Sequence, residues 1–268
     1  ATSLVTDVDC YGTATGEIDI TVTGGTSAYS YSWVASNGGS LGPNSSTFDD
    51  LTGLIAGDYT CTITDAEGCQ YIHAVTITEP TLIVASISGV DITCYGNLDG
   101  SVGIGTVSGG TPFPGNIYNY LWNPGGQTTP FALGLPQGIY SCTISDANGC
   151  SITTSVVTIS EPSLLSATSL ITDVDCNGAA TGEIDITVTG GTSSYSYSWV
   201  ASNGGSLGTT NSSTDDDLTD LLAGDYVCTI TDANGCQETE SVTITEPLNP
   251  LSATSVIIDV DCYGAATG

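Results

Sequence analysis

The 268-residue chain contains no lysine, no arginine and no methionine, and it has only one histidine. Its 29 Asp and Glu residues give a formal net charge of −29, whereas ordinary domains are about one quarter charged residues of both signs. The absence of basic side chains excludes salt bridges to Lys or Arg and leaves trypsin-like proteases without a cleavage site. It also argues against nucleic acid as a partner, because phosphates would be repelled.

Other absences narrow the possible functions further. No run of 18 apolar residues occurs, so we expect no membrane insertion. His73 is the only histidine, and general acid–base chemistry has almost no suitable groups, so we expect no catalytic residues and no enzyme activity. The cysteines lack Cys-x-x-Cys spacing, which argues against zinc. No cofactor is expected, with the exception of Ca²⁺ discussed below.

What the chain has in abundance is internal repetition. Three near-copies of one unit occupy residues 1–81, 82–163 and 164–250, called here repeats 1, 2 and 3, and residues 251–268 begin a fourth, truncated copy. Each repeat has three cysteines, which we name the loop cysteine, the strand cysteine and the turn cysteine. In chain order these are Cys10, Cys61 and Cys69; Cys94, Cys142 and Cys150; and Cys176, Cys228 and Cys236. Tandem arrays of this kind usually build length and surface instead of a single active site.

The local patterns predict β-strands throughout. Residues 17–23 alternate strictly, with Ile18, Ile20 and Val22 on one face, as in a half-buried antiparallel strand. Tyr59 lies two residues before Cys61, which is the position of the tyrosine corner in immunoglobulin sandwiches. We therefore predict an all-β fold, a tandem array of immunoglobulin-like antiparallel β-sandwich repeats with about seven strands each.

The hairpin around Asp65–Cys69 can be predicted in register. A three-residue loop places Ile63 opposite Tyr71, Cys61 opposite His73 and Tyr59 opposite Val75, with a core face that also includes Cys69 and Ile77. The aromatic residues expected in the three cores are Trp33, Trp122, Trp199, Tyr59, Tyr140 and Tyr226. The Ser, Asn and Gly-rich residues 34–53 are expected to form loops and short edge strands.

The cysteines predict disulfides in an oxidising, extracellular setting, but their pairing stays open. Cys61 and Cys69 are about 13 Å apart along the hairpin, too far for a bond. Cys10 can then pair with Cys61, with Cys69 or with a neighbouring repeat. A free thiol is better tolerated in the core at Cys61, or at Cys142 and Cys228, than beside an exposed turn. This favours the pairs Cys10–Cys69, Cys94–Cys150 and Cys176–Cys236.

Two further kinds of site can be read from the sequence. Carboxylates gather where repeats begin and end, and oxygen ligands there could hold Ca²⁺; diffuse counter-ions on a solvated acidic surface are the alternative. Asn44 and Asn211 stand in Asn-Ser-Ser triplets and are possible glycosylation sites. The carboxylates of the possible Ca²⁺ sites are Asp7, Asp9, Glu79, Glu161, Asp173, Asp175 and Glu246.

The order and spacing of several short segments resemble the SprB-type repeat of giant surface adhesins in gliding Bacteroidota. The matching segments are Asp7–Gly12, Asp91–Gly96, Thr23–Thr26, Tyr29–Trp33, Ala56–Ala66 and Ile77–Pro80. The resemblance implies type IX secretion, a cell-surface location, and a role in adhesion or gliding motility. Relatives often carry Val where Cys61 stands and keep the outer two cysteines, which supports the same within-repeat pairing.

These observations predict an extracellular segment of a long cell-surface adhesin fibre that acts as a mechanical spacer and contacts surfaces. The expected partners are neighbouring repeats of the chain and a polysaccharide or abiotic surface. A self-assembling structural filament of identical chains is the first alternative. A carbohydrate-binding module that uses exposed tyrosines such as Tyr11, Tyr95 or Tyr263 is the second.

Overall fold

A computed structural model of the chain describes residues 1–257 and 263–264, and the regular structure in these residues is entirely β-strand. The described residues form two compact units. Unit 1 consists of Ala1–Asp91 and Leu98–Ser160, and unit 2 consists of Ile92–Asn97 and the described residues from Glu161 onward. Unit 1 thus contains the strands of repeats 1 and 2, while unit 2 combines repeat 3 with one short loop of repeat 2.

Repeat 1 is a sandwich of two three-stranded antiparallel sheets. One sheet has the order β1-β2-β4 and the other β3-β5-β6. This division of the chain corresponds to strands A, B and E against C, F and G of the immunoglobulin fold. The strands are β1 Thr2–Thr6, β2 Gly16–Thr21, β3 Ser30–Ser36, β4 Leu51–Leu54, β5 Gly57–Thr64 and β6 Gln70–Ile77.

Alternation of apolar and polar residues produces the core of repeat 1. Ile18 and Ile20 of β2 are buried, while Asp19 between them faces solvent, as a strand with one covered face requires. They pack with Trp33, Leu51, Leu54 and the inward face of β5. The Trp33 indole N–H donates to the Phe48 carbonyl at 2.9 Å, so the buried aromatic ring keeps a partner for its one polar group.

The β5–β6 hairpin has the register that the sequence predicts. Ile63 pairs with Tyr71, Cys61 with His73 and Tyr59 with Val75. Asp65 holds the turn together, because its carboxylate accepts bonds from the backbone N–H groups of Cys69 at 2.8 Å and Glu67 at 3.0 Å. One part of the expected core face is wrong: Cys69 is exposed, because it lies in the turn beyond the end of the strand.

All six predicted core aromatics are buried. The hydroxyl of Tyr59 donates to the Ile55 carbonyl at 2.7 Å, and those of Tyr140 and Tyr226 donate to Pro136 and Leu222, both at 2.8 Å. Each hydroxyl therefore closes the corner before its own strand, in the manner of an immunoglobulin tyrosine corner. The strand cysteines Cys61, Cys142 and Cys228 lie beside them as buried free thiols.

Repeat 2 has seven strands, because its last strand is interrupted at residues 154–156. Its prolines at 112, 114, 124 and 130 all lie outside the strands, as expected for a residue without a backbone donor. The strands are β7 Val84–Val90, β8 Gly100–Ser108, β9 Asn119–Asn123, β10 Phe131–Leu135, β11 Gly138–Ser145, β12 Ser151–Thr153 and β13 Val157–Ile159.

Repeat 3 returns to the plan of repeat 1, with sheets β14-β15-β17 and β16-β18-β19 around an equivalent core. The predicted count of about seven strands is thus met in repeat 2, and repeats 1 and 3 have six. The strands are β14 Ser166–Thr172, β15 Gly182–Thr189, β16 Ser196–Ser202, β17 Leu218–Leu221, β18 Gly224–Thr231 and β19 Gln237–Ile244.

The predicted within-repeat disulfides Cys10–Cys69, Cys94–Cys150 and Cys176–Cys236 are wrong. The bonds that form are Cys10–Cys150 and Cys94–Cys236. In repeat 1 the loop that carries Cys10 follows β1 and is bonded to the end of β6, because Val8 N–H donates to the Thr78 carbonyl at 3.0 Å. Cys69 lies at the other end of β5–β6, roughly 23 Å away for strands of this length, and a disulfide bridges at most about 7 Å between Cα atoms.

Candidate functional site

The disulfide-linked junction between repeats 1 and 2, which lies entirely in unit 1, is the main candidate site. Three segments form it: the cysteine loop at residues 7–15, the linker at 79–83 and the hairpin turn Asp146–Cys150. The Cys10–Cys150 bond has a Cα–Cα distance of 5.5 Å and joins residues 140 apart in sequence. Repeat 1 is therefore tied to its neighbour by the peptide chain and by a second covalent bond.

The linker enters repeat 2 through a cleft that two glycines keep open. The Gly110 N–H donates to the Thr81 carbonyl at 2.7 Å, and Ile83 is buried against Gly110. A Cβ atom on Gly109 would lie 2.0 Å from the Leu82 carbonyl oxygen, and one on Gly110 would lie 2.7 Å from Ile83 Cγ1. Both glycines have positive φ, so the Gly-Gly pair is required both by backbone conformation and by the close approach of the linker.

Asp146 organises the turn that receives Cys10. Its carboxylate accepts bonds from the backbone N–H groups of Thr111 at 2.7 Å, Cys150 at 2.9 Å and Asn148 at 3.0 Å, and the side chain is only 2% exposed. The Asn148 side-chain amide then donates to the Asp9 carbonyl at 3.2 Å. The turn thus holds the incoming cysteine loop by a hydrogen bond beside the disulfide.

Unit 2 repeats this arrangement with equivalent residues. Cys94 is bonded to Cys236, and the Asn234 amide donates to the Thr93 carbonyl at 2.9 Å. Gly191 N–H donates to the Ser163 carbonyl at 2.8 Å, and Leu165 is buried in the position of Ile83. Because the same contacts form twice from different residues, the junction is a recurring feature of the repeat.

The corresponding surface of repeat 1 is not covered by any described segment. Gly24 and Gly25 take the places of Gly109 and Gly110, yet a Cβ atom on Gly24 would meet nothing within 4 Å, and no described residue accepts a bond from Gly25 N–H. A cavity of about 180 Å³ remains there, with Val22, Tyr29 and Ile63 among its lining residues. Cys69, the turn cysteine, is exposed beside it as a free thiol.

The loop cysteine of repeat 3 is also free. Cys176 is exposed. Its loop is fixed by the same kind of hydrogen bond as the loop of Cys10. The Gly178 N–H donates to Glu246 at 2.6 Å, where Gly12 donates to Glu79 at 2.5 Å. Leu251, which corresponds to Ile83 and Leu165 by sequence, is fully exposed.

Most of the predicted Ca²⁺ carboxylates bind backbone groups at the junctions. Asp7 and Asp173 accept from Thr78 and Thr245, both at 2.7 Å, and Glu161 accepts from Gly96 at 2.5 Å. The bonds of Asp7 and Asp173 fasten the cysteine loops of repeats 1 and 3 to the residue that follows the last strand of the same repeat. Within residues 1–257 and 263–264, no three His, Cys, Asp or Glu side chains are grouped so that they could hold a metal ion.

Tyr11 and Tyr95 follow two of the loop cysteines and are about half exposed, and Tyr263 is fully exposed. Tyr11 lines a cavity of about 280 Å³ at the junction of unit 1, together with Pro80, Leu82 and Ile152. This is the place where a small polar ligand could meet an aromatic ring.

Asn44 and Asn211 have structural roles in their loops. The side-chain nitrogen of Asn44 donates to the carbonyls of Leu41 at 2.6 Å and Thr52 at 2.7 Å, and that of Asn211 donates to Leu207 at 2.9 Å and Thr219 at 2.6 Å. A glycan attached to either nitrogen would replace one of these donated hydrogens. Glycosylation at these two residues stays a prediction.

Burial separates the free thiols into two classes. It raises the pKa of the Cys61 and Cys142 thiols and raises that of Cys228 to about 11, and thiolate is the reactive form of cysteine. Cys69 and Cys176 are exposed. Of the described free cysteines, only these two are accessible for reaction in the folded protein.

Sequence reasoning missed the Gly-Gly cleft and the linker residue that fills it. A usable signal was present: Gly24-Gly25, Gly109-Gly110 and Gly190-Gly191 recur in the three repeats, and an apolar residue recurs three or four positions after each Glu-Pro. Strand direction was the second signal. In the predicted plan of seven strands that alternate in direction, a loop after the first strand and a turn after the sixth lie at opposite ends of the sandwich.

The geometry defines a class of protein: a tandem array of immunoglobulin-like sandwiches joined by disulfides from one repeat to the next. The SprB repeat family matches residues 2–39, 86–127 and 168–204. The SprB repeat thus occurs three times along the chain, and the resemblance predicted from sequence is confirmed. No curated protein matches the chain. No helix long and apolar enough to span a membrane occurs in the described part of the chain.

Solved structures with a related architecture show low identity. The three N-terminal domains of the outer capsid protein Hoc of bacteriophage RB49 are 13% identical, with 91% of this chain and 95% of that chain covered and a TM-score of 0.41. The eight N-terminal domains of Down syndrome cell adhesion molecule are 14% identical, with 81% and 33% covered and a TM-score of 0.40. Invasin, a bacterial integrin-binding protein, is 13% identical, with 91% and 60% covered and a TM-score of 0.31. Likenesses of this size carry no argument about function.

Proposed function

We propose that this chain is an extracellular segment of a cell-surface adhesin fibre, in which the repeats act as a mechanical spacer and present a surface for contact. The observation that carries the proposal is the Cys10–Cys150 bond, which ties repeat 1 to its neighbour in parallel with the linker. A spacer under tension needs connections that do not extend. The second bond, Cys94–Cys236, provides another such covalent connection.

The acidic surface supports the same role. A net charge of −29 without any Lys or Arg keeps such chains soluble and repels nucleic acid and anionic lipid. An adhesion or gliding role at the cell surface after type IX secretion is part of the proposal, and the three matches to the SprB repeat support it. Contact with a polysaccharide or an abiotic surface belongs to the same proposal.

Single-molecule pulling tests the mechanical role. The variant with Cys94→Ser and Cys236→Ser retains one disulfide, Cys10–Cys150. This bond closes a loop across a sequence separation of 140 residues, and the chain inside the loop cannot be extended by pulling. Chemical reduction should then lengthen the fully unfolded chain by about 490 Å, at roughly 3.5 Å per residue. Equal lengths before and after reduction would remove the support for a disulfide-reinforced spacer.

Contact with surfaces needs its own measurement. Beads coated with the chain should adhere to glass or to immobilised polysaccharide more strongly than beads coated with an unrelated acidic protein of similar charge. Adhesion no stronger than that of the control would leave only the spacer role.

One other function has an observation in its favour. The exposed Tyr11 beside a junction cavity favours a carbohydrate-binding module, because aromatic rings with a polar rim are typical of small-ligand sites. Tyr11→Ala should then weaken glycan binding measured by calorimetry, and no binding by the unmodified chain would dispose of this function.

A further inference from the structure

We propose that the buried thiol of Cys142 is a latent nucleophile, which attacks the Cys10–Cys150 disulfide when tension opens repeat 2. The exchange lengthens the loaded chain and needs neither an oxidant nor a reductant. The inference rests on the proposed mechanical role. It gives a chemical function to a strand cysteine that the closed fold uses only as a small apolar core residue.

The two disulfides determine which part of the chain carries tension. A pull that enters at Cys10 crosses its disulfide to Cys150. From there the direct path runs backwards along the chain to Cys94, which is bonded to Cys236. Fully extended, residues 94–150 measure about 200 Å, and the other two segments that these four cysteines delimit measure about 300 Å each, at roughly 3.5 Å per residue. The shortest segment becomes taut first and carries the load.

Cys142 lies in this loaded segment, and the closed fold keeps its thiol away from the disulfide. It is fully buried in β11. The Thr154 N–H donates to the Cys142 carbonyl at 2.9 Å, and the Cys142 N–H donates to the Thr154 hydroxyl at 3.0 Å. Cys142 thus stands opposite a residue about four positions beyond Cys150, which is roughly 13 Å along the strand. Bonded cysteines have Cα atoms at most about 7 Å apart, so the closed hairpin prevents exchange.

The hairpin that holds Cys142 has fewer strand pairs than its counterparts. Its last strand is interrupted at residues 154–156, and β11 pairs with β12 at only three positions beside the turn. The hairpins β5–β6 and β18–β19 each pair at eight consecutive positions. On the other side of β11, β9 pairs at five positions, against seven in each of the other repeats. Tension at Cys150 acts on this turn end of β11, so fewer backbone hydrogen bonds must break before Cys142 is released.

The exchange itself is balanced in atoms and electrons. The Cys142 thiolate attacks the Cys150 sulfur, the Cys142–Cys150 bond forms and the Cys10–Cys150 bond breaks. Cys10 leaves as a thiolate and takes up a proton in place of the one that Cys142 lost. Burial raises the pKa of the Cys142 thiol in the closed fold, and exposure returns it to about 8.5. Opening therefore also increases the fraction of reactive thiolate.

Chain connectivity selects the sulfur that is attacked. Cys142 is much closer in sequence to Cys150 than to Cys94, and loop closure favours the nearer disulfide by roughly fifteenfold. Cys142 also approaches from the Cys150 side of the bond, so the Cys10 sulfur lies in line as the leaving group. Once Cys10 is released, the load runs along residues 10–94. The extended path then lengthens by about 100 Å, at roughly 3.5 Å per residue.

Single-molecule pulling of the whole chain tests the exchange. Cys69→Ser and Cys176→Ser remove the exposed thiols, and Cys262→Ser removes a cysteine that lies outside the described residues. This parent chain is stretched until repeat 2 opens, held at low force for several seconds so that Cys142 reaches the disulfide, and stretched again. At about pH 8.5 without added thiol, the second stretch should end about 100 Å longer once repeat 1 has also unfolded.

Two alanine variants decide which thiol acts. Cys142→Ala should abolish the gain in length, and its folded stability does not affect the result, because the exchange takes place in the opened chain. Cys61→Ala is the matched control at the equivalent core position of repeat 1. It should leave the gain unchanged, because repeat 1 carries no load before the exchange. A gain that persists in Cys142→Ala, or no gain in the parent chain, would overturn the proposal.

Peptide mapping identifies the product. The parent chain, with alanine at the other two strand cysteines, is exposed briefly to urea, alkylated and cleaved before Asp146, which separates Cys142 from Cys150. Cys142 linked to Cys150, with an alkylated Cys10, should exceed the Cys94–Cys142 product by about fifteenfold. Equal amounts of the two products would contradict selection by chain connectivity.

Reduction keeps this proposal separate from the mechanical role. If added reductant still lengthens the unfolded parent chain but the gain after relaxation is absent, the spacer function stands and the exchange is refuted. If reductant does not lengthen the chain, the disulfides carry no load and the proposed function fails as well.

Discussion

Repeats 1 and 2 contain the same hairpin turn, yet only the turn of repeat 2 is covered by a neighbour. Asp65 and Asp146 each accept three backbone N–H bonds, at 2.8–3.0 Å and 2.7–3.0 Å. The side chain of Asp146 is buried, whereas that of Asp65 is partly exposed. The turn is thus shaped by its own aspartate, and the neighbouring repeat adds burial and a covalent bond to a surface that already exists.

The largest expected effect comes from the residue that fills the cleft. Ile83→Ala should destabilise unit 1 by about 2–5 kcal/mol, because a buried side chain is removed and a cavity remains. Leu251→Ala, at the equivalent but exposed position, is the matched control and should have almost no effect. Urea unfolding followed by tryptophan fluorescence measures both. Equal effects would mean that Leu251 is already buried in solution.

The two aspartates give the next contrast. Asp146→Ala should cost about 1–3 kcal/mol, because it leaves buried backbone N–H groups without an acceptor. Asp65→Ala removes the same three bonds from a turn that water can reach, so a smaller loss is expected. Thermal unfolding of the two variants compares them, and a larger loss at Asp65 would contradict the idea that burial separates the two turns.

The uncovered turn should also show a pH dependence. Hydrogen bonds from the backbone of Thr26 and Cys69 hold the pKa of Asp65 below its ordinary value. A lowered pKa in the folded state contributes stability above the unfolded value of about 3.9, and this contribution is lost as the pH falls through the folded pKa. In the Asp65→Asn variant, the melting temperature should therefore fall less steeply as the pH is lowered below about 4. An unchanged pH profile in this variant would show that Asp65 contributes nothing.

The smallest effect is expected from metal removal. Asp7, Glu79 and Asp173 already accept backbone bonds, which leaves fewer oxygens for the six to eight that Ca²⁺ takes. A chelator should therefore shift the melting temperature very little at either junction. A clear drop in melting temperature that is reversed by added Ca²⁺ would instead support a calcium site at the junction carboxylates.

The fold was largely predictable from sequence because its signals are local. The alternation around Ile18 and the Gly68 turn specify which residues face inward and which pair across the β5–β6 hairpin. Disulfides were predicted, with a bond to a neighbouring repeat as one option, but the favoured pairing was wrong, because pairing depends on which end of the sandwich each loop occupies. That is a property of strand direction over a whole repeat, and Cys10 and Cys150 are 140 residues apart.

The candidate site, like the fold, was only partly predictable from the sequence. The three cysteines of each repeat and the glycine pairs are visible in the sequence, and so are the carboxylates at the repeat ends. Their joint role is visible only when Glu79 is seen to bind Gly12 and Thr81 to bind Gly110. The sequence left Ca²⁺ ligation and diffuse counter-ions as the options for these carboxylates, because it does not show the backbone N–H groups that they meet.

The two disulfides enclose overlapping stretches of chain, from Cys10 to Cys150 and from Cys94 to Cys236. A break in the backbone at any one place between Cys10 and Cys236 therefore lies inside at least one closed ring, and the severed pieces remain attached. A single proteolytic cut in this region therefore leaves one covalently connected molecule, whereas the same cut would divide a chain without these disulfides into two.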